Sequence, residues 1–502
     1  MRVVSQAPPS VHVSGRSSNN SVYFAIIGAL ILLRLVTAAF LPLSFDEAYF
    51  WLWSKHLAIS YYDHPPLIAL ATWLGTSVFA DTEFGVRAVS CIASIGASFA
   101  VWRACAIMLG DEADGAFACC LFNATLMTAS QGMAATPDSL VLCAAAFLLL
   151  AIAKLEQREE PRFWLAIGAA LGAALLAKYT SFFLCAGVLL WFVGTAQGRR
   201  WVGSPWPYVA ALIAFGCFLP NLAWNAAHDW ISFRFQFGRV VSGAPDFRYL
   251  PEFIAGQIVL ASPFILALGL GGLMRETRFG PAARPAAAAA TMMWPAIFYF
   301  AFHALHERVQ GNWPSFIYPA LSILASAGAH QGALNFARRL ALPVALAILA
   351  FVYLQATAGI FPLGIYDPVA RMTAVGISPV TNQLAKLARR NGAHALVTTD
   401  YAATSWFSFY LRPHIPIVQI TEDYRWLQTP RAEARDLHGP LLYVTRHPQQ
   451  ELPLIEAHFA HVELAQALAR MHAGVRVETY FVYKLSGFHG AAVGRVPDAR
   501  GD

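Results

Sequence analysis

The chain has 502 residues, of which 57% are hydrophobic and 13% are charged, and its mean hydropathy is +0.50. This composition excludes a soluble domain of ordinary type, in which about 25% of residues are charged. The net charge of +6 does not indicate nucleic-acid binding, because the basic residues fall mostly in short clusters between apolar runs. The composition predicts a polytopic α-helical membrane protein.

The first 20 residues are polar and rich in Ser, Pro and Asn, which predicts a disordered cytoplasmic N-terminus rather than a signal peptide. A bilayer core of about 30 Å needs about 20 apolar residues per helix. The apolar runs then predict about 11 spans, and at most 13. The predicted spans are residues 22–43, 84–109, 115–133, 138–154, 163–178, 181–196, 206–223, 252–273, 286–303, 313–329 and 340–362.

Clusters of Arg and Lys predict the orientation, because basic loops stay on the cytoplasmic side. All the clusters are cytoplasmic only if residues 44–83 form one large outer loop, which makes 65–80 a surface-lying or re-entrant helix. The same count of membrane crossings places residues 363–502 on the outer side. The clusters are Arg2 and Arg16; Lys154, Arg158 and Arg162; Arg199 and Arg200; Arg275, Arg278 and Arg284; and Arg338 and Arg339.

The composition changes at about residue 363, where helical and strand patterns begin to alternate. This alternation predicts a small α/β domain. Gating or acceptor recognition and a purely stabilising role remain open alternatives for it. The patterns predict a helix over 377–390, strands over 395–400, 415–420 and 439–445, a helix over 452–468 and a strand over 475–485.

The segment SFDEAYFWLWSKHLAISYYDHPP, residues 44–66, places three carboxylates beside a long apolar run. Ionisable groups at a membrane are usually functional. Asp46 is a candidate general base for an acceptor hydroxyl, or an acid that favours the dipole of a helix start. Ser44 and Glu47 fit an S-x-x-E capping box, so Glu47 either starts a helix or shapes the site.

The motif YYDHPPL follows in the same loop, with two prolines that favour extended backbone before them. Tyr62, Asp63 and His64 together suit the binding of a phosphosugar at the membrane face. The alternative is an ordinary Asp-His turn.

Two later residues lie at the ends of predicted spans. Asp138 follows Thr136 and Pro137, so it is either a first-turn acid or part of the site. Lys178 lies between two apolar runs, where it either extends to the interface or pairs with a lipid phosphate. Arg34, about two turns deep in the first span, needs a partner.

The late loop HALHERVQGNWPSF, residues 303–316, mixes charged and aromatic residues. Trp313 and Asn312 would stack on and hydrogen-bond to a sugar, or anchor the interface. The first five residues lack HExxH spacing, so no confident metal site is predicted, although a divalent metal remains an alternative. The cysteines have no metal-ligand spacing and are interpreted as small membrane-core residues.

In order along the chain, the motifs SFDEAYFW, YYDHPPL, EFGVR, TPDSLVL, LLAKYT, WNAAHDWISFRFQFGR and GNWPSFIYPAL resemble the bacterial polyprenyl-phosphate-sugar glycosyltransferases. These belong with the protein mannosyltransferases and the lipid A aminoarabinose transferases. The resemblance covers roughly residues 22–360. It implies a GT-C catalytic domain over 21–362, inverting transfer at the periplasmic face of the inner membrane, and a periplasmic domain over 363–502.

The resemblance also implies roles for individual residues. Asp46 corresponds to the usual base, Asp138 to an acid that positions or polarises the site, and Lys178 to a contact of the donor phosphate. His64 stands where the aminoarabinose branch has Lys, so the specificity of that branch is not transferred. The implied partners are a polyprenyl-phosphate-sugar donor, a glycolipid, saccharide or protein acceptor, and membrane lipids, with no nucleic acid.

The resulting hypothesis is that Asp46 is the base, that Glu47 and Asp138 shape the site, and that Lys178, His64 and Arg308 neutralise the donor phosphate. The main alternative is a transporter or flippase of lipid-linked sugars, and a third is an inactive binding protein. Transporters often contain internal repeats. The sequence shows no repeat and clusters its acids at one predicted face, which favours the enzyme.

Overall fold

The computed structural model describes residues 16–238, 245–277, 284–491 and 493–498. Within these ranges the chain forms 22 α-helices and five β-strands. In chain order they are α1 (Arg16–Phe40), α2 (Phe45–Lys55), α3 (Leu67–Phe79), α4 (Glu83–Leu109), α5 (Glu112–Ala124), α6 (Leu126–Gln131), α7 (Pro137–Arg158), α8 (Phe163–Ala177), α9 (Phe182–Gly194), α10 (Ala196–Arg199), α11 (Trp206–Ala227), α12 (Ile231–Phe237), α13 (Tyr249–Ala261), α14 (Pro263–Thr277), α15 (Ala287–His303), α16 (Tyr318–Gly328), α17 (Asn335–Ala358), α18 (Pro368–Met372), α19 (Ile377–Asn391), β1 (Ala395–Thr398), α20 (Tyr401–Tyr410), β2 (Ile417–Gln419), α21 (Ala434–Leu437), β3 (Leu441–Thr445), α22 (Pro448–Glu456), β4 (Phe459–His472) and β5 (Val475–Phe488).

The segment predicted to be disordered, residues 1–20, overlaps the first helix. Residues 1–15 lie outside the described ranges, and α1 begins at Arg16. The 25 residues of α1 exceed the roughly 20 that a bilayer requires, so its polar start extends past the apolar run.

Arg34 in α1 has the partners that the sequence could not name. Its guanidinium is buried and donates to the side chains of Ser94 and Asn123, which come from α4 and α5. These bonds to neutral groups hold two of its nitrogen atoms inside the helix bundle, which is where intramembrane ionisable residues usually lie.

Each predicted span overlaps a helix or two consecutive helices, and the chain is a polytopic helical membrane protein. The number that qualify as spans by length and composition is lower than the eleven predicted, because several helices are short. Over the described residues, five helices qualify, or six if α13 and α14 count as one: Asn20–Phe40, Glu83–Leu109, Pro137–Arg158, Trp206–Ala227 and Gly332–Ala358.

One predicted span, residues 252–273, is broken rather than continuous. Helices α13 and α14 meet at an angle of 102°. Ser262 between them has a φ of 71°, and Pro263 opens α14. A left-handed residue followed by a proline ends the hydrogen-bond ladder of the first helix, because proline has no N–H to continue it. The apolar composition of the segment conceals this break.

Helices α14 and α16 approach each other closely through glycines. A Cβ atom at Gly272 would lie 1.9 Å from the carbonyl oxygen of Leu324, and one at Gly328 would lie 2.1 Å from that of Leu268. Small residues at such contacts let membrane helices pack backbone against backbone. No other side chain fits these positions without moving a helix.

The loop over residues 44–83 contains two helices. At the start of α2, the Ser44 hydroxyl accepts a hydrogen bond from the Glu47 N–H and the Glu47 carboxylate accepts one from the Ser44 N–H. This is the predicted capping box. It fixes Asp46 in the first turn of α2. The segment predicted to lie on the surface or re-enter, residues 65–80, forms α3.

The carboxyl-terminal segment forms one sheet with the strand order β2-β1-β3-β5-β4. Strand β1 pairs in parallel with β2 and β3, and β5 pairs antiparallel with β3 and β4. A small α/β region therefore follows the membrane helices, as the predicted fold class requires. The carboxyl ends of its three parallel strands lie at one edge, where α/β sheets commonly present functional residues.

The predicted helix over 452–468 is wrong after Glu456. Helix α22 ends at Glu456, and β4 runs from Phe459 to His472. Strand β4 is at the edge of the sheet, and many of its side chains are exposed on both faces, so the alternation that marks a half-buried strand is weak. Its Leu and Ala residues favour a helix, but pairing with β5 overrides this preference.

Helix α20 packs this region against the start of the first loop. The indole N–H of Trp406 donates to the carbonyl oxygen of Leu43 (3.2 Å), and the Leu43 N–H donates to the Tyr410 hydroxyl (2.7 Å). The rings of Trp51 and Phe409 pack edge to face, with centroids 5.0 Å apart. One apolar core runs from the membrane helices through this contact into the sheet.

Candidate active site

A cavity of about 990 Å³ lies where the first loop, the membrane helices and the carboxyl-terminal region meet. Four carboxylates predicted to belong to the site line it, among them those of Asp46, Asp63 and Asp138, and Lys178 lines it as well. The structure therefore brings the first-loop acids and the later acid and lysine to one space. The remaining charged side chains of its wall are those of Glu47, Arg87 and Arg425.

Asp46 lies in the first turn of α2 and is partly buried. Its Oδ1 accepts a hydrogen bond from the Tyr401 hydroxyl (3.3 Å), and no ion pair of Asp46 is found among the described residues. Burial and the neighbouring charge of Asp63 raise the pKa of Asp46 to about 7, although Tyr401 and Arg425 act in the opposite direction. A carboxylate with this pKa is suited to exchange a proton near neutral pH.

Glu47, the adjacent acid, is fully engaged in structural bonds. Arg87 of α4 donates to both of its carboxylate oxygens at 2.6 and 2.7 Å, and the Ala135 N–H donates to it at 3.0 Å. Burial alone would raise the pKa of Glu47, but Arg87 outweighs it and holds the pKa below its usual range. Arg87 also bonds to the carbonyl oxygens after α1. The pair joins the end of α1, the start of α2 and the loop before α7.

Asp63 is held by an arginine from the carboxyl-terminal region. The guanidinium of Arg425 donates to both Asp63 oxygens at 2.7 and 2.8 Å, and the Tyr49 hydroxyl donates to one of them at 2.8 Å. Arg425 also pairs with Glu422 and lies 4.5 Å from the centre of the Tyr401 ring. This network ties the DHPP turn to the sheet.

Asp138 and Lys178 form a buried ion pair at the ends of α7 and α8. The lysine Nζ lies 2.8 Å from each carboxylate oxygen. Asn312 donates to the same carboxylate at 2.9 Å, and so does the hydroxyl of Ser315. The NWPS segment of the late loop therefore supports the acid, which accepts four hydrogen bonds from three donor groups.

The other predicted residues divide between the cavity and its surroundings. His64 and Trp313 line the cavity with Asn312. Tyr62 packs its ring between Phe235 and Tyr424 and is not among the residues that line the described cavity. Arg308, predicted to neutralise the donor phosphate, lies outside it: the side chain is largely exposed and pairs with Glu252 at 2.6 Å. Although Arg308 lies near the NWPS motif in sequence, it pairs with a residue of α13.

His303 also lies in the cavity wall, although the sequence analysis gave it no role beyond an open alternative of metal binding. It is buried between the rings of Tyr299 and Trp313, and neither ring nitrogen has a hydrogen-bond partner among the described residues. The described part of the chain contains no group of three or more His, Cys, Asp or Glu side chains placed to hold a metal.

Sequence reasoning missed Tyr401, Arg425, Arg87 and Ser315. Arg87 and Ser315 lie within two of the motifs that carry the family resemblance, EFGVR and GNWPSFIYPAL, and those motifs are the signal that could have identified them. Tyr401 and Arg425 follow predicted strands of a region that was given no site residue. Their positions shortly after the carboxyl ends of β1 and β2 are the feature that could have identified them.

The sequence is similar to known sugar transferases over part of its length. A family model described as dolichyl-phosphate-mannose-protein mannosyltransferase matches residues 63–224. The lipid A galacturonosyltransferase RgtD of Rhizobium johnstonii is 26% identical over 290 residues, which are 56% of this chain and 59% of the relative. The match thus spans less than two thirds of RgtD.

Solved structures match over nearly the whole chain. ArnT from Cupriavidus metallidurans in the apo state superposes with a TM-score of 0.61 at 15% identity, covering 93% of this chain and 98% of ArnT. The same enzyme bound to undecaprenyl phosphate gives 0.59 at 16% identity, covering 92% and 98%. The chain has the GT-C fold, and the resemblance to bacterial polyprenyl-phosphate-sugar glycosyltransferases that its motifs indicate is confirmed.

Proposed function

We propose that the protein is an inverting glycosyltransferase that moves a sugar from a polyprenyl-phosphate donor to a cell-envelope acceptor, with Asp46 as the base. The observation that carries this proposal is the convergence of Asp46 with the Asp138–Lys178 pair on one cavity. The cavity volume of about 990 Å³ is ample for a sugar phosphate together with parts of its lipid and acceptor.

Asp46 is the acid best placed to act as the base. Glu47 is committed to Arg87, Asp63 to Arg425, and Asp138 to Lys178. Protonation of Glu47 or Asp138 would leave a buried cation without its acid, and protonation of Asp63 would leave Arg425 with Glu422 alone, so each is costly. Asp46 has a single tyrosine hydrogen bond, so it can accept a proton without breaking an ion pair.

The proposed reaction is one displacement. The acceptor hydroxyl gives its proton to Asp46 while its oxygen forms a bond to the anomeric carbon of the donor sugar. The bond from that carbon to the phosphate oxygen breaks on the opposite face, and its electron pair leaves with the polyprenyl phosphate. Attack opposite to the leaving group inverts the anomeric centre, as the hypothesis requires.

Lys178 and His64 are the proposed contacts of the leaving phosphate. Both line the cavity. Lys178 is already neutralised by Asp138, so the phosphate would share the lysine with that acid rather than meet an isolated charge. A phosphate leaves without a general acid, and one cation beside it would stabilise the charge that develops in the transition state.

The proposed location is the outer face of the bacterial inner membrane. Two observations support it: the basic clusters of the sequence, and the packing of α20 against the first loop. The contact requires the carboxyl-terminal region and residues 44–83 to lie on the same side. The acceptor is proposed to be a glycolipid, lipopolysaccharide or protein, and galacturonic acid, the sugar named for RgtD, is the first to test.

The test uses purified protein in nanodiscs with undecaprenyl-phosphate sugars and lipid A as the acceptor. Mass spectrometry is expected to show sugar added to the acceptor and free undecaprenyl phosphate released. Asp46→Asn should lower the rate by about 10² to 10⁴, while thermal stability and donor binding remain near normal. Near-normal turnover by this variant would refute the role of Asp46.

The transporter alternative predicts a different result in the same assay. A flippase would change the side of the membrane on which the donor lies without releasing free undecaprenyl phosphate. The relatives named above are glycosyltransferases, so they give this alternative no support. Lipids from a deletion strain and its parent, compared by mass, would also identify the sugar through the mass difference.

A further inference from the structure

The carboxyl-terminal sheet presents its parallel edge to the candidate active site. Strand β1 ends at Thr398 and is followed by Tyr401, and β2 ends at Gln419 and is followed by Arg425. Both of these side chains line the cavity. Residues at the carboxyl ends of parallel strands are the usual functional positions of such sheets. The sheet is therefore placed to act on the chemistry and not only to cover it.

The contacts of these two residues are with the first-loop acids. Tyr401 donates to Asp46 at 3.3 Å, and Arg425 holds both oxygens of Asp63. Arg425 also lies over the Tyr401 ring, 4.5 Å from its centre. Tyr401 thus contacts the proposed base, Asp46. Arg425 holds the neighbouring acid, Asp63, and also packs over the ring of Tyr401.

We propose that the carboxyl-terminal region is part of the catalytic machinery, in which Tyr401 and Arg425 are positioning residues that orient Asp46 and favour its charged, proton-accepting form. The proposal rests on the proposed function, because it assigns the base role to Asp46. It extends that function to a region whose role the sequence left open between recognition and stabilisation.

The physical reason is the balance of charges around Asp46. Asp63 and Glu47 in the first loop disfavour its ionisation, whereas the Tyr401 hydrogen bond and the Arg425 cation favour it. Without Arg425, Asp63 would also lose its counter-charge, and both changes would act in the same direction. The base would then be protonated, and inactive, up to a higher pH.

The experiment measures the pH profile of kcat/KM for the full-length protein and its variants. Arg425→Met is expected to move the acid limb of the profile upward by about one pH unit. Tyr401→Phe, which removes one hydroxyl, is expected to move it by about half a unit. Arg425→Lys retains the cation and is expected to restore much of the wild-type position. A purely structural role would lower activity equally at every pH.

Two matched variants control for loss of a buried side chain in the same region. Arg470 is buried and bonds to backbone carbonyls and Glu478, and the Tyr443 hydroxyl bonds to Glu451. Arg470→Met and Tyr443→Phe are expected to leave the acid limb in place whatever they do to stability. If Arg425→Met fails to fold, Tyr401→Phe decides the question.

A second readout does not depend on turnover. Infrared difference spectra against Asp46→Asn report the protonation of the Asp46 carboxyl directly as the pH is changed. In each of Tyr401→Phe and Arg425→Met, the pKa of Asp46 is expected to rise by the amount that the acid limb moves in that variant. An unchanged titration in both variants would overturn the inference. If the wild type transfers no sugar, the proposed function fails, but the infrared titration still decides whether these residues control Asp46.

Discussion

The ammonium of Lys178 lies 2.8 Å from both carboxylate oxygens of Asp138, and both side chains are buried. Lysine and acid come from the ends of consecutive helices, α8 and α7, and the late loop adds two further donors to the acid. The pair is electrically neutral before any substrate arrives. The contribution of this ion pair to the stability of the protein can therefore be measured separately from its role in donor binding.

Lys178→Met should destabilise the protein by about 3 to 5 kcal/mol, because Asp138 would remain buried without its counter-charge. The double variant Lys178→Met/Asp138→Asn should recover much of this loss, since the amide carries no charge. Thermal unfolding in nanodiscs measures both effects. A double variant no more stable than the single one would show that the buried charge is not the cause. Donor affinity should stay weak in both variants if Lys178 contacts the phosphate.

The pH dependence of transfer follows from the pKa of Asp46, which burial and Asp63 raise to about 7. The base acts only when it is deprotonated, so kcat/KM should fall about tenfold per pH unit below pH 7 and level off above it. A pH series with saturating lipid acceptor measures this limb. A flat profile from pH 5 to 8 would assign the base to a group with an ordinary carboxyl pKa.

Glu47→Gln should act through stability rather than through the pH profile. Arg87 would lose the carboxylate that holds it at 2.6 and 2.7 Å, leaving a buried cation without an acid. A loss of about 3 kcal/mol or more in unfolding free energy is expected. The folded fraction that remains should show the acid limb moved only slightly downward, because Glu47 is the weakest of the charges that raise the pKa of Asp46. A displaced limb together with normal stability would make Glu47 part of the proton transfer.

Gly272→Ala should destabilise the contact between α14 and α16, because its new Cβ would lie 1.9 Å from the Leu324 carbonyl oxygen. Overpacking of this kind usually costs about 1 to 3 kcal/mol. Gly216→Ala in α11 is the matched control, since nothing lies within 4 Å of its added Cβ. Thermal unfolding of the two variants should therefore differ. Equal midpoints would mean that α14 can shift without loss of packing.

Local sequence patterns predicted much of this architecture because they act over short distances. The apolar runs located the helices, and the S-x-x-E pattern located the start of α2 around Asp46. The bend at Ser262 was not predicted, since composition alone does not reveal a left-handed residue within an apolar run. Strand β4 was taken for a helix because an edge strand buries little on either face.

The site residues that lie in motifs were predictable from the sequence. The site residues that come from distant segments of the chain were not. Asp46, Asp138 and Lys178 were expected to share one face, and they line one cavity. Arg425 could not be paired with Asp63 from sequence, because the two lie 362 positions apart and no pattern specifies such a contact. Arg308 was expected at the phosphate because of its neighbours in sequence, but a glutamate on α13 holds it elsewhere.

The Asp63–Arg425 pair has a consequence for the order of events during biosynthesis. A ribosome adds about 5 to 20 residues per second, so the arginine is made on the order of 20 to 70 s after its partner, given their separation of 362 residues. Until then the DHPP turn carries an acid without its cation. A nascent chain can therefore insert all its membrane helices before its candidate active site is complete.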